Sequence, residues 1–494
     1  MHPALLIDEI LRLIFSFCLE CDRKSLLSAA RTCKAWKDPA LDFIWSRLSS
    51  PEPLLLQAYV DRTTFGDLLI FDSYARRVKH LTNRQDTRMK PVLMTSSETP
   101  QCNLALPNLV TAQISIPKYS TFSLPFILSP NLARLDVDLG FKTRASKTDS
   151  TLCSYLECAV TNCPSLCHVS FRGLASRHIN SVISSMRCIS SIYLRLGRSL
   201  LPETLQAILM LPRLEELEIH AGHIDIDDLQ PVFECPSHSL LPSLNKLHIR
   251  AKSSLIEKVL QSVQPDTLYH LHIELEDLLP RDSNWTTVFR HICSRASRTL
   301  RHLALEHHFE VSETSTSSMG ATPTSHHTFI PSPMSSETLQ MLNNLRTLRH
   351  FSCDITLPAA ISDKVVERLV TWWPDLEHLE FGCAPLAEDQ QMGVAQITAA
   401  SLTLFAAKCT KLKRLILPLT IQDPLPSCVA QIPTSSQLRN LTIARLKTTD
   451  PLKVAEYLHT LFPALQDLAG PFDDSEPWIA TKHALTEIGP SLIS

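Results

Sequence analysis

The chain has 494 residues, a formal net charge of −3 and 44% apolar residues, the balance of a globular protein with no footprint for nucleic acid or an anionic membrane. No run approaches the roughly 18 apolar residues of a membrane span, and Asp8, Glu9 and Arg12 interrupt what would be the core of a secretory signal. The fifteen cysteines therefore read as reduced thiols in cytoplasm or nucleus, and ten glycines without a GxGxxG or P-loop pattern argue against dinucleotide and nucleotide-phosphate chemistry.

At the N-terminus Ile7, Ile10, Leu11, Ile14, Phe15 and Cys18 recur at the spacing of one α-helical stripe, with Asp8 and Glu9 in the first turn. Asp22 predicts the cap of a second helix carrying Leu26, Leu27 and Ala30. Asp38 and Pro39 predict the start of a third, with Leu41, Ile44, Trp45 and Leu48 on one face. Three short helices cannot bury this much apolar and aromatic surface among themselves, so a docking partner is expected to cover the remainder.

Leu6-Ile7-Asp8-Glu9-Ile10, Ile14-Phe15, Leu26-Leu27, Cys33-Lys34-Ala35-Trp36 and Trp45-Ser46-Arg47-Leu48 together resemble an F-box, with Ile7 where the family usually has proline. The resemblance implies docking to a Skp-type adaptor, and through it to a cullin, by Leu6, Ile7, Ile10, Leu11, Ile14, Phe15, Leu26, Leu27, Trp36 and Trp45.

Pro51 and Pro53 end the helical pattern, Leu54 to Leu69 reads as a linker helix, and Asn83 to Pro107 as a loop. Beyond it an LxxLxL motif returns, beginning at Leu132, Leu166, Ile189, Leu214, Leu244, Leu268, Leu300, Leu348, Leu376, Leu412 and Leu438, with degenerate copies at Leu109 and Leu465. Between copies run helical stripes: Leu152, Tyr155, Leu156, Ala159; Leu255, Ile256, Val259, Leu260, Val263; Trp285, Val288, Phe289, Ile292; and Val365, Val366, Leu369, Val370, Trp373. A strand then a helix, repeated at this period, resembles leucine-rich repeats. The position that usually carries a turn-stitching Asn or Cys holds Gly140, Gly197, Gly222, Lys252, Glu276 or Thr356, so irregular turns are expected.

The expected fold is α/β: an F-box-like helical domain over 1–48, a linker helix and loop over 49–107, and an irregular leucine-rich-repeat solenoid over 108–494, strands on the concave side and helices on the convex side. Residues 311–336 are Ser/Thr/Pro/His-rich and read as a disordered insert with minimal proline-directed sites at Thr322-Pro323 and Ser332-Pro333.

No catalytic constellation and no cofactor motif is present. The Cys18–Cys21 pair and the Cys153, Cys158, Cys163, Cys167 and His168 cluster read as ordinary repeat residues, so no metal site is expected. In LxxLxL the third, fifth and seventh positions should face solvent. The third carries His168, His270, His302, His350 and His378, the fifth His248 and His272, and the seventh His220. This ladder is either polar filler or a recognition strip whose charge rises as pH falls toward 6. At the seventh position Arg172, Arg195 and Arg250 give way to Glu274, Glu306 and Asp354, a polarity that would orient a polar partner. The expected function is a non-catalytic substrate-recognition adaptor of a ubiquitin ligase with an unknown protein substrate; the other reading is a repeat scaffold working outside any ligase.

Overall fold

The computed structural model describes residues 7–54, 56–57, 69–83, 106–116, 129–144, 146–234, 240–277, 282–307, 334–355, 361–382, 397–426, 436–471 and 474–488. Two compact units divide the chain, Met1–His220 and Ala221–Ser494.

Three helices open the first unit: α1 (Asp8–Cys21), α2 (Arg23–Thr32) and α3 (Lys34–Ser46). Asp22 caps α2 as expected, accepting the Lys24 N–H at 3.0 Å. The third helix departs from its expected start, because the N–H groups of Trp36 and Lys37 already reach the Cys33 carbonyl, both at 3.2 Å. Pro39 therefore sits inside the helix, without an N–H to continue the ladder. Asp38 is not its cap; its carboxylate pairs with Arg77 at 2.7 Å. Leu48, expected on the inner face of this helix, is buried instead in a two-residue strand.

That strand, β1 (Arg47–Leu48), starts a parallel series in sequence order: β2 (His80–Asn83), β3 (Thr111–Ser115), β4 (Arg134–Gly140), β5 (His168–Gly173), β6 (Ser191–Arg195) and β7 (Glu216–His220). Strand β2 lies in the stretch expected to be linker. Val78-Lys-His-Leu81 has the first and fourth positions of the repeat, and both side chains are buried. After Leu69–Ala75 (α4) the chain thus enters the sheet before the first recognised repeat. Most of the 54–69 helix and of the 83–107 loop lie outside the described residues.

The repeat leucines do what their spacing predicts. Leu132, Leu135 and Val137, and their counterparts Ile189, Ile192 and Leu194, are at most 2% exposed. Each such side chain contributes about 1.5–3 kcal/mol relative to exposure. The returning helices α5 (Ser146–Asn162), α6 (Arg177–Ser185) and α7 (Pro202–Leu209) close that buried side; Leu152, Leu156 and Ala159 are fully covered.

The second unit repeats the scheme with β8 (Lys246–Ala251), β9 (His270–Leu275), β10 (His302–His307), β11 (His350–Ile355), β12 (His378–Phe381), β13 (Arg414–Gln422), β14 (Asn440–Lys447) and β15 (Asp467–Ala469), again parallel and in order. The predicted stripes around Ile256, Phe289 and Trp373 are buried between strands. Without Asn at the turn position, other groups stitch the turns: Lys252 reaches Asp225 at 2.5 Å, and Asp277 accepts the Ser253 N–H at 2.7 Å. Residues 311–333 of the expected insert lie outside the described residues, and its last three are described. Met334 is buried, and Ser335 caps a helix over Ser336–Gln340. Each unit is thus α/β with the architecture of a leucine-rich-repeat solenoid.

Candidate functional site

Two surfaces collect the predicted residues. On the first, the helical trio, the six-residue stripe of α1 divides in two. Leu11 and Phe15, with Leu26 and Ala40, form the trio's own core, and Cys18, Trp36 and Ile44 pack against it. Trp36 meets Phe15 edge-on at 6.0 Å. Trp45 stacks on Tyr74 at 4.3 Å. The predicted docking residues Leu11, Phe15, Leu26, Trp36 and Trp45 are therefore occupied wholly or partly within the chain, because a trio this small needs its largest side chains for itself. Leu6 lies outside the described residues.

Ile7, Ile10, Ile14 and Leu27 remain exposed. Two residues missed from sequence join them: Leu13 is 60% and Phe17 62% exposed. At about 100° per residue, Ile7, Ile10, Leu13, Ile14 and Phe17 share one sector of α1, rotated away from Leu11 and Phe15. The signal was an apolar arc too wide for one stripe. A contiguous exposed face of this kind marks an interaction site. Arg77 braces the trio from α4's end, pairing with Asp38 and Asp42 of α3, while Arg12 of α1 reaches Asp42 at 2.9 Å.

The second surface is the open face of the strands, where the third, fifth and seventh positions are half-exposed as expected. In the second unit the register sets His270, His302, His350 and His378 side by side, between Lys246 and Arg414. Their ring centroids lie 5.1, 4.0 and 4.3 Å apart, the first two pairs stacked and the third tilted. Together with Ala304, Ser352, Glu380 and Arg414 they line a hollow of about 260 Å³. Burial, then the neighbouring histidines, pushes His270 and His350 down to about 4, and His302 and His378 also move down. Burial thus disfavours the charged form of every ring in the column, which runs against a charge rising toward pH 6. A charged ring here would lose water and face its like-charged neighbours.

His248 and His272 stack at 3.9 Å, and His248 donates to Glu274 at 2.6 Å. The seventh-position arginines are engaged inside the chain. Arg195 pairs with Glu218, Arg250 with Glu276 and with Glu274 at 3.6 Å, and Arg172 lies over the Phe141 ring. His168, in the first unit, lies against Tyr193 with the rings tilted and their centroids 4.9 Å apart. The Cys153 thiol is pushed up to about 11 by burial and Cys163 also moves up, so both stay protonated. Among the described residues the cysteines of this segment do not converge at metal-binding distance. No helix among them is long and apolar enough to cross a membrane.

Comparison with known proteins agrees with the first surface. The F-box-like family model matches residues 8–50. Curated proteins provide no match to the sequence. Among solved structures, the chain is similar to the leucine-rich repeat-containing protein LegL7 from Legionella pneumophila, at 12% identity over 72% of this chain and 91% of that one, with a TM-score of 0.25. The chain thus carries an F-box-like domain at residues 8–50, followed by LxxLxL repeats seated on consecutive parallel strands, a leucine-rich-repeat-like region.

Proposed function

We propose that this protein is a non-catalytic, substrate-recognising subunit of a Skp/cullin-type ubiquitin ligase. The observation that carries the reading is the exposed apolar sector of α1, within residues that match an F-box-like domain. Leu13, Ile14 and Phe17, with Ile7, Ile10 and Leu27, are the side chains that a Skp-type adaptor would cover. Leu11, Phe15, Leu26 and Trp36 act indirectly, by holding the three helices in register. The strand face offers stacked imidazole rings, a shallow hollow and paired charges on a rigid sheet, which suits capture of a protein surface. Transfer of ubiquitin belongs to other subunits.

The test is capture of a purified Skp-type adaptor by the full chain and by residues 49–494. The proposal expects capture by the first alone. Equal capture by both would show that the helical trio is not the docking element.

A further inference from the structure

Three side chains on two neighbouring strands converge where nothing yet assigns a ligand. His272 and Glu274 project from the same face of β9, and Glu306 from β10, with Glu306 directly in register with Glu274. Their ligand atoms, one imidazole nitrogen and two carboxylate oxygens, all lie within 4.8 Å of one another. An ion bound at about 2.1 Å sets its ligands roughly 3.4 Å apart in a tetrahedron, so small side-chain adjustments close the set.

Two further observations point to a cation. Carboxylates directly opposite each other on neighbouring strands repel, and here the run extends to Asp354, in register with Glu306. Arg250, in register with Glu274, offsets one end of that run, and His248 and His272 stand 2.6 and 2.8 Å from Glu274 and Glu306. The second observation is the buried Nε2 of His272. Glu306 Oε1 stands 2.8 Å from it, yet the direction is not that of a hydrogen bond. A proton on the ring would pair the two groups, and with the ring neutral a metal ion would accept electron pairs from both. His248 donates to Glu274 Oε1 at 2.6 Å and so fixes the orientation of that carboxylate, as outer partners of metal ligands do. Ala304 and Ser352 follow His272 along the same row, and these small side chains leave the coordination side open toward the hollow.

We propose that His272, Glu274 and Glu306 bind one divalent transition-metal ion of the zinc class, oriented by His248 and open toward the histidine-lined hollow. The donor set of one imidazole and two carboxylates suits such an ion better than magnesium or calcium, which take oxygen ligands alone. The site is independent of the helical trio, so adaptor docking neither requires nor reports it.

The test titrates the reduced full-length protein with Co²⁺ alone and with Zn²⁺ alone, following visible absorption, bound stoichiometry and the thermal midpoint. One Co²⁺ per chain, without a thiolate charge-transfer band, and a Zn²⁺-dependent rise in midpoint are expected. Glu306→Gln, conservative in size, should abolish both, and His248→Gln should weaken affinity about tenfold, while His378→Gln leaves both intact. Each variant's metal-free circular dichroism and midpoint confirm its fold. Absence of binding, a thiolate band, or binding unchanged in Glu306→Gln would overturn the proposal.

Discussion

At the residue scale the histidine column shows what position reveals and what it hides. That His270, His302, His350 and His378 share a row was legible from the third place of LxxLxL. Their charge state was not, because it depends on ring stacking and burial that the motif does not encode. Proton resonances of His350 should titrate near 4, where an ordinary histidine titrates near 6.5. A midpoint near 6.5 would contradict the stacking. The sign for stability follows from linkage. The folded-state values lie below the unfolded ones, so stability is full above about pH 6.5 and is lost as pH falls toward 4, where only the unfolded chain has taken up protons. Urea midpoints measured at pH 7, 5.5 and 4.5 should therefore fall less steeply for His350→Gln than for the wild type; equal slopes would refute the assignment.

At the element scale, the strands were readable wherever both the first leucine and the alternation were present, as at Leu268-Tyr-His-Leu271-His-Ile273. Strand β2 escaped because it is only four residues long and its repeat opens with Val78 rather than leucine. The start of α3 escaped for a different reason. Asp38-Pro39 is a strong local start signal, but the carbonyl of Cys33 nucleates the helix earlier and the Asp38 carboxylate goes to Arg77. Replacing Arg77 with Met should cost about 1–3 kcal/mol by leaving Asp38 and Asp42 without it, read as a lower unfolding midpoint. Gly173 tests the β4–β5 joint. Its φ is +107°, and a Cβ would stand 2.3 Å from the Gly140 carbonyl oxygen. Gly173→Ala should lower stability by about 1–3 kcal/mol, whereas an unchanged midpoint would mean that the two strands part easily there.

At the scale of the whole molecule, the division of work follows from where apolar surface is left over. The repeats close their leucines inside each unit, and their open face carries polar and imidazole groups. The helical trio cannot do the same. The imbalance was visible in composition, but which side chains would be left outside was not. A stripe drawn through Ile7, Ile10, Leu11, Ile14, Phe15 and Cys18 merges an inner and an outer face that only the packing of α2 and α3 separates. The account's central claim is that the outer face, Leu13 and Phe17 above all, is the docking surface. The most direct measurement is the affinity of purified full-length protein for a Skp-type adaptor, compared with the Leu13→Asp/Phe17→Asp variant. The variant should keep the wild-type circular dichroism, since both side chains are more than half exposed, and lose affinity by about 100-fold or more. Wild-type affinity in that variant would contradict the account.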